Sequence, residues 1–98
     1  MAEVDDEFFD RADAHIHLSN EQMSKVSMGK VSASMMYSVA RFNAYVSARG
    51  WINKQEMKKS KSETIDYYVT EYKKMLEENL DDYIENFDEY MKPRTTNK

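Results

Sequence analysis

The sequence predicts an all-α protein, a three-helix antiparallel bundle with a long C-terminal helix and a short helix before it. The apolar residues recur at spacings of three and four, which is the period of an amphipathic helix and not the alternation of a strand. The 98 residues include only two glycines and one proline, too few turn residues for a β-rich fold. We expect a single helical domain over residues 1–92 and a disordered tail over residues 93–98.

The first helix is expected from about Asp5 to Lys25. Asp5 or Asp6 can cap its start, and acidic side chains suit the positive end of the helix dipole. Its apolar stripe consists of Phe8, Phe9, Ala12, Ile16 and Met23.

The second helix is expected to follow Ser27 as its N-cap and to end at Arg49. Gly50 then fits the left-handed conformation that often closes a helix. The side chains expected on the buried face of this helix are Met35, Met36, Val39, Phe42, Asn43 and Val46.

A short helix is expected from Lys54 to about Lys59, since Asn53 and Glu56 have the spacing of a capping box. The sequence leaves open whether this helix continues into the next one or is offset from it near Ser60. The long helix should then run without interruption from Ser62 to Met91, because neither glycine nor proline occurs in this stretch and Pro93 follows it.

The end of the long helix predicts self-association. Thirty residues span about 45 Å, about 15 Å more than a helix of 20 residues. One chain therefore supplies too little cover for the far end, and an apolar patch of that size rarely stays exposed on a monomer. We expect a symmetric homodimer whose interface includes Tyr83, Ile84, Phe87, Tyr90 and Met91.

Charge is distributed unevenly along the chain, although the net charge is only −4. Residues 24–62 contain eight bases and one acid, whereas residues 63–91 contain ten acids and two bases. The favoured interpretation is that these segments lie side by side and their fields partly cancel. The alternative is a basic surface for an anionic partner such as nucleic acid, made of Arg41, Arg49, Lys54, Lys58, Lys59 and Lys61 with Tyr45 and Trp51. The acidic net charge makes nucleic acid the weaker alternative.

A metal site has one candidate set. Asp13, His17 and Glu21 are spaced four residues apart and share one face of the first helix. A closed zinc site needs about four ligands, so a surface histidine flanked by acids is the favoured interpretation. No cofactor is expected.

Two asparagines have an open role. Asn43 and Asn79 lie on or beside the apolar stripes of their helices. Buried together they would fix the helix register, as a polar core residue does in a coiled coil. At the edge of a stripe they would simply face water.

Several classes of protein are disfavoured by what the sequence lacks. The absence of cysteine excludes disulfides, thiolate zinc sites and thiol catalysis. The acidic N-terminus has no apolar segment typical of a secretory signal. The most apolar window, residues 31–48, contains Arg41 and four serines, which argues against a membrane span. A cytoplasmic location is expected.

Four segments carry a resemblance to a known family. They are FFDRADAHI at residues 8–16, GKVSASMMY at 29–37, ARFNA at 40–44 and MLEENLDDYIENF at 75–87. Together they resemble a family of short proteobacterial proteins classed as a domain of unknown function. The resemblance covers nearly the whole chain except its tail. It implies a bacterial, cytoplasmic, helical protein, and brings no activity or catalytic residues with it.

Some relatives in that family carry a penicillin-binding label, which this sequence does not support. A Ser-x-x-Lys motif occurs once, at Ser27 to Lys30, in a chain far too short for a transpeptidase domain. We interpret this match as chance.

The resulting functional hypothesis is a non-catalytic protein-interaction or adaptor module that acts as a homodimer. The alternatives are a nucleic-acid-associated protein that uses the basic middle segment and a metal-binding helical protein. No grouping of catalytic residue types is imposed by the spacing, so an enzyme has no support.

Overall fold

The computed structural model describes residues 4–92, and over this range the chain is all-α with no strand. Its helices are α1 (Phe8–Gln22), α2 (Met28–Arg49), α3 (Lys54–Lys59), α4 (Lys61–Glu85) and α5 (Phe87–Tyr90). The predicted all-α class is confirmed, with three long helices and a short helix before the last of them. The disordered tail predicted for residues 93–98 lies outside the described residues.

The chain divides into two compact units, with the boundary between Lys61 and Ser62. The described part of the first unit is residues 4–61, with α1, α2 and α3, and that of the second is residues 62–92. The packing of α4 against α1 and α2, which a three-helix bundle requires, stays a prediction, as does a single domain.

Helix α1 begins three residues later than predicted because Asp5 forms a turn before it. The Asp5 carboxylate accepts a hydrogen bond from the Glu7 amide at 2.9 Å, and the Phe8 amide donates to the Asp5 carbonyl at 3.1 Å. Such side-chain bonds to nearby amides compete with helix formation and favour a turn just before a helix. At the other end, the Ser24 hydroxyl donates to the Glu21 carbonyl at 2.8 Å, so the chain leaves the helix after Gln22.

Helix α2 has the predicted boundaries. The Ser27 hydroxyl accepts a hydrogen bond from the Lys30 amide, as an N-cap should. The prediction for Gly50 was wrong, because its φ of −90° and ψ of −4° are right-handed. The Gly50 amide donates to the Ser47 carbonyl at 2.9 Å, a tight last turn that needs no left-handed residue.

Helix α3 also has the predicted boundaries. The Asn53 side chain accepts a hydrogen bond from the Glu56 amide at 3.0 Å, which supplies the predicted cap. Ser60 then leaves helical geometry, and its amide donates to the Glu56 and Met57 carbonyls. Helix α3 therefore ends before Ser60, and α4 begins at Lys61 as a separate helix.

Little of the described chain is buried. In residues 4–92 the one buried side chain is Val31, which is 4% exposed. It lies one turn before Met35 on the same face of α2. Met35 is half-buried and accepts a weak hydrogen bond on its sulfur from the Ser19 hydroxyl of α1 at 3.4 Å. The contact between α1 and α2 therefore contains small and flexible side chains instead of a large apolar core.

Most side chains of the apolar stripe of α1, and most of those predicted to be buried on α2, are exposed. Phe8 and Ala12 are half-buried on α1, and Met35 and Asn43 on α2. Phe9, Ile16 and Met23 of the α1 stripe are exposed, and the predicted burial on α2 was wrong for Met36, Val39, Phe42 and Val46. Periodicity identified helices with wide apolar faces, but it did not show how much of each face a single chain covers.

Candidate functional site

The end of the chain's last long helix carries an exposed apolar surface, which we call the C-terminal patch: Tyr83, Ile84, Phe87, Tyr90 and Met91. These are the predicted interface residues. Ile84 is 71% exposed and Phe87 is 59% exposed. The patch is therefore an uncovered apolar surface within residues 4–92.

The cover on α4 is confined to its first half. Thr64, Tyr68 and Glu71 are half-buried, whereas every residue from Tyr72 to Glu85 is exposed. The exposed half continues into the C-terminal patch. That a second copy covers this far end stays a prediction.

Asn86 interrupts the long helix that the sequence predicts as continuous to Met91. Its φ of −111° and ψ of 29° lie outside the α region, and helix α4 ends at Glu85. Two effects explain the interruption. Asparagine competes with the backbone for hydrogen bonds, and the last turn of α4 has acidic residues but no base at the negative end of its dipole.

A set of side-chain contacts, which we call the Asp82 clamp, holds the chain on both sides of this break. The Asn86 amide nitrogen donates to the Asp82 carbonyl and to its carboxylate, both at 3.0 Å. The Tyr90 hydroxyl donates to the other carboxylate oxygen of Asp82 at 3.1 Å. The Tyr83 and Tyr90 rings pack with centroids 4.7 Å apart. The clamp fixes α5 against the end of α4, so the patch has a defined shape.

The clamp also changes the acidity of a tyrosine. The hydrogen bond to the Asp82 carboxylate, and then the negative charge of that carboxylate, raise the pKa of Tyr90 above its ordinary value. The neutral hydroxyl, which can donate the hydrogen bond, is thereby favoured.

A second exposed surface lies within residues 4–61, on α2 and α3. We call it the α2–α3 groove, and it is open to solvent and lined mainly by Tyr37, Arg41, Phe42, Tyr45, Ala48 and Met57. The Phe42 and Tyr45 rings are 6.2 Å apart. Arg49 donates to the Tyr45 hydroxyl at 3.3 Å, which places a second guanidinium beside the groove.

The structure brings together part of the predicted basic patch. Arg41 and Tyr45 line one groove, with Arg49 in contact with Tyr45. Within residues 4–92 the ion pairs are Arg11 with Asp5, Lys74 with Glu71 and Lys92 with Glu89. None of these described pairs uses a base of residues 24–62, and the partial cancellation of charge between the segments stays a prediction.

The candidate metal ligands do not form a site. Among residues 4–92, no three histidine, aspartate or glutamate side chains are placed to hold a metal ion. Asp13, His17 and Glu21 are all exposed on α1. Eight residues of helix span about 12 Å, so three side chains along one helix need a second element to meet at one ion.

The two asparagines differ in their surroundings. Asn43 is half-buried on α2. Asn79 is exposed, and its side-chain amide donates to the Met75 carbonyl one turn earlier at 2.8 Å. Asn79 therefore acts locally on its own helix, at the edge of the apolar stripe.

Sequence reasoning identified the patch but missed Asp82 and Asn86, which give it shape. Asp82, Asn86 and Tyr90 follow one another at intervals of four residues, a spacing that places all three on one helical face. That spacing was the available signal. It was hidden among many acids that could equally well have faced only water.

Comparison with known proteins gives a family and one fold neighbour. A family model described as "Protein of unknown function (DUF3144)" matches residues 8–84. The NMR structure of the protein NB7890A from Shewanella sp is similar, with a TM-score of 0.75 and 40% sequence identity over 99% of this chain and 100% of that chain. No curated protein matches. Across residues 4–92, no helix combines the length and apolar composition needed to cross a bilayer.

Proposed function

The chain belongs to the DUF3144 family of proteins of unknown function, and we propose that it is a non-catalytic interaction module that forms a homodimer through the C-terminal patch. The proposal includes a cytoplasmic location and an adaptor role in which the dimer presents its remaining surfaces to another protein.

One observation carries the proposal, namely how little apolar surface a single copy covers. Val31 is the one buried residue among residues 4–92. Fully burying a large apolar side chain contributes roughly 1.5–3 kcal/mol, so an exposed patch of five is a strong reason to associate. Large apolar patches on soluble proteins usually mark interaction sites.

The Asp82 clamp supports the same role. Binding is weaker when flexible side chains and turns must become ordered in the complex, because that ordering costs conformational entropy. Here Asn86 and Tyr90 are already tied to Asp82, and the Tyr83 and Tyr90 rings are already packed. A patch ordered in advance binds with less of this cost.

The test is the oligomeric state in solution. We expect a dimer by size-exclusion chromatography with light scattering at high micromolar concentration, and we expect Phe87→Asp to raise the dimer dissociation constant roughly 30-fold or more, as loss of a central apolar anchor does.

Thr70→Asp is the matched control, because it introduces the same charge at an exposed site on α4 that lies more than three turns before the C-terminal patch. It should leave the dimer intact. A monomeric wild-type protein at high micromolar concentration would refute the proposal, as would an equal effect of the two substitutions.

A nucleic-acid-associated function is the second candidate, and one observation favours it. None of the ion pairs within residues 4–92 involves the eight bases of residues 24–62. If these bases contact phosphates, random DNA or RNA should bind with an affinity that falls steeply with salt. Changing Lys58, Lys59 and Lys61 to alanine should then weaken binding, and no binding at low salt would exclude this candidate.

A further inference from the structure

We propose that the α2–α3 groove of one copy receives the C-terminal patch of a second copy, so that two reciprocal patch-in-groove contacts form the dimer. This inference rests on the proposed function, which supplies the homodimer, and adds the surface to which the patch binds.

The groove has the chemistry of a receptor for an amphipathic helix. Its lining includes the apolar and aromatic side chains of Tyr37, Phe42 and Met57, and all of the lining lies within residues 37–57 of α2 and α3. Tyr37 and Phe42 are exposed. A helix with an apolar face commonly binds in a groove of this kind, with side chains one turn apart as its anchors.

Charge identifies the occupant. The groove is basic, with Arg41 in its lining and Arg49 bonded to Tyr45 beside it, and Lys54 and Lys58 belong to α3. Glu56 is the single acid of that helix. The occupant should therefore be an apolar helix with acidic flanks.

The C-terminal segment of the same chain fits this description. Residues 77–89 contain seven acids and no base. Ile84 and Phe87 supply exposed apolar anchors, while Glu85 and Asp88 lie between and beside them. Neither Glu85 nor Asp88 belongs to an ion pair among residues 4–92.

The lengths also agree. The α2 residues that line the groove run from Tyr37 to Ala48, a distance of about 16 Å at 1.5 Å per residue. The patch runs from Tyr83 to Met91, and the amides of Asn86, Tyr90 and Met91 still donate to carbonyls four residues earlier. The helical rise therefore applies roughly across the break at Asn86 and gives the patch a length of about 12 Å. The groove is thus long enough to hold the whole patch.

The rival arrangement places the two patches of a dimer directly against each other. That arrangement would bring two acidic segments together, and like charges across an interface are repulsive. The two arrangements therefore respond oppositely to salt. A patch-in-groove contact between opposite charges weakens as salt is added, whereas a patch-on-patch contact strengthens because its repulsion is screened.

Mixing two variants tests the proposal. Phe87→Asp keeps the groove but disables the patch, whereas Phe42→Asp keeps the patch but disables the groove. Each variant alone should dimerise at least tenfold more weakly than wild type. An equimolar mixture, with one variant labelled with ¹⁵N and analysed by native mass spectrometry, should form a heterodimer because one intact contact is restored. Circular dichroism checks that both variants stay helical, and Arg41→Glu replaces Phe42→Asp if that variant does not.

The outcomes separate the two proposals. If the wild-type protein dimerises, and Phe42→Asp or Arg41→Glu leaves the dimer intact while Phe87→Asp disrupts it, the groove is not the surface that binds the patch. The proposed function would then still stand. A mixture of two helical variants that stays monomeric would overturn the groove, as would a wild-type dimer that tightens with salt. A wild-type monomer would overturn both. A heterodimer together with a dimer that weakens with salt supports both.

Discussion

The α1–α2 pair and the segment from Asp82 to Met91 keep their shapes by different means. The pair has contacts between residues far apart in sequence, including the Ser19–Met35 hydrogen bond, and α2 carries the one buried residue of the described chain, Val31. The C-terminal segment has no buried residue, and its Asp82 clamp joins residues at most eight positions apart.

This difference assigns fold stability mainly to the α1–α2 pair and recognition of a partner to the C-terminal segment. The α1–α2 pair is sensitive to loss of buried volume, since apolar burial is the main favourable contribution to folding. The C-terminal segment keeps its shape through local bonds and leaves its apolar side chains free for a partner. Such a division explains how a chain with so little buried surface can still present an ordered patch.

The largest effect on this comparison should come from Val31→Ala. Removing two buried methyl-sized groups at about 0.8 kcal/mol each should lower the free energy of unfolding by about 1.5 kcal/mol. Urea unfolding followed by circular dichroism measures the change.

Val69→Ala is the matched substitution in α4, where Val69 is exposed. It should change the free energy of unfolding by less than about 0.5 kcal/mol. Both should be compared in the Phe87→Asp background, so that dimerisation does not contribute. Equal losses would mean that α4 is as buried as α2 and would remove the contrast.

The next effect tests whether α3 depends on local bonds as the C-terminal segment does. Asn53→Ala removes the side-chain acceptor of the Glu56 amide, and loss of such a cap costs about 1 kcal/mol. Hydrogen exchange of the Glu56 amide should become faster. Asn53→Asp keeps an acceptor and should retain protection, so the same increase in both variants would contradict a capping role.

The boundaries of α2 and α3 were predictable because their starts depend on local chemistry. Ser27 and Asn53 accept hydrogen bonds from amides three residues later, and this signal is fully contained in four residues of sequence. The end of α4 was not predictable in the same way. Asn79 makes the same kind of bond to a carbonyl four residues earlier as Asn86 does, yet α4 continues past Asn79.

The site was predictable in part for a similar reason. The helical period of the apolar residues placed Ile84 and Phe87 on the stripe. Its length and the lengths of the two shorter predicted helices can be counted from the sequence, and the stripe is longer than either helix. The groove was not located, since Met57 joins α2 side chains only through the turn at residues 50–53. No spacing rule specifies how α3 is placed beside α2 across that turn.

A smaller and more local effect should follow from changing the Asp82 clamp. The raised pKa of Tyr90 means that the clamp is intact below the ordinary tyrosine pKa and is lost as the pH rises through the folded-state value. Asp82→Asn removes the charge but keeps an acceptor, so the pKa of Tyr90 should fall toward its ordinary value. NMR titration of the Tyr90 ring measures it.

Tyr90→Phe complements that experiment, because it removes the hydroxyl and keeps the ring beside Tyr83. Amide exchange should accelerate in α5 and stay unchanged in α1 and α2. If protection fell throughout the chain, the clamp would not be local, and the contrast between the two regions would fail.

The smallest effect should come from the Asp5–Arg11 pair at the start of α1, which is exposed and therefore weak. The Arg11 hydrogen bond, and then that of the Glu7 amide, lower the pKa of Asp5 below its ordinary value. A lowered pKa in the folded state means that the pair stabilises the first turn above the unfolded-state pKa and stops doing so as the pH falls through the folded-state value.

Arg11→Gln should raise the pKa of Asp5 in an NMR titration, whereas Asp6→Asn should leave it nearly unchanged. Because the unit of residues 62–92 contributes nothing to this pair, Arg11→Gln at neutral pH should loosen the start of α1 without altering the exchange of α5, and simultaneous loosening of both would show that the two regions are not independent.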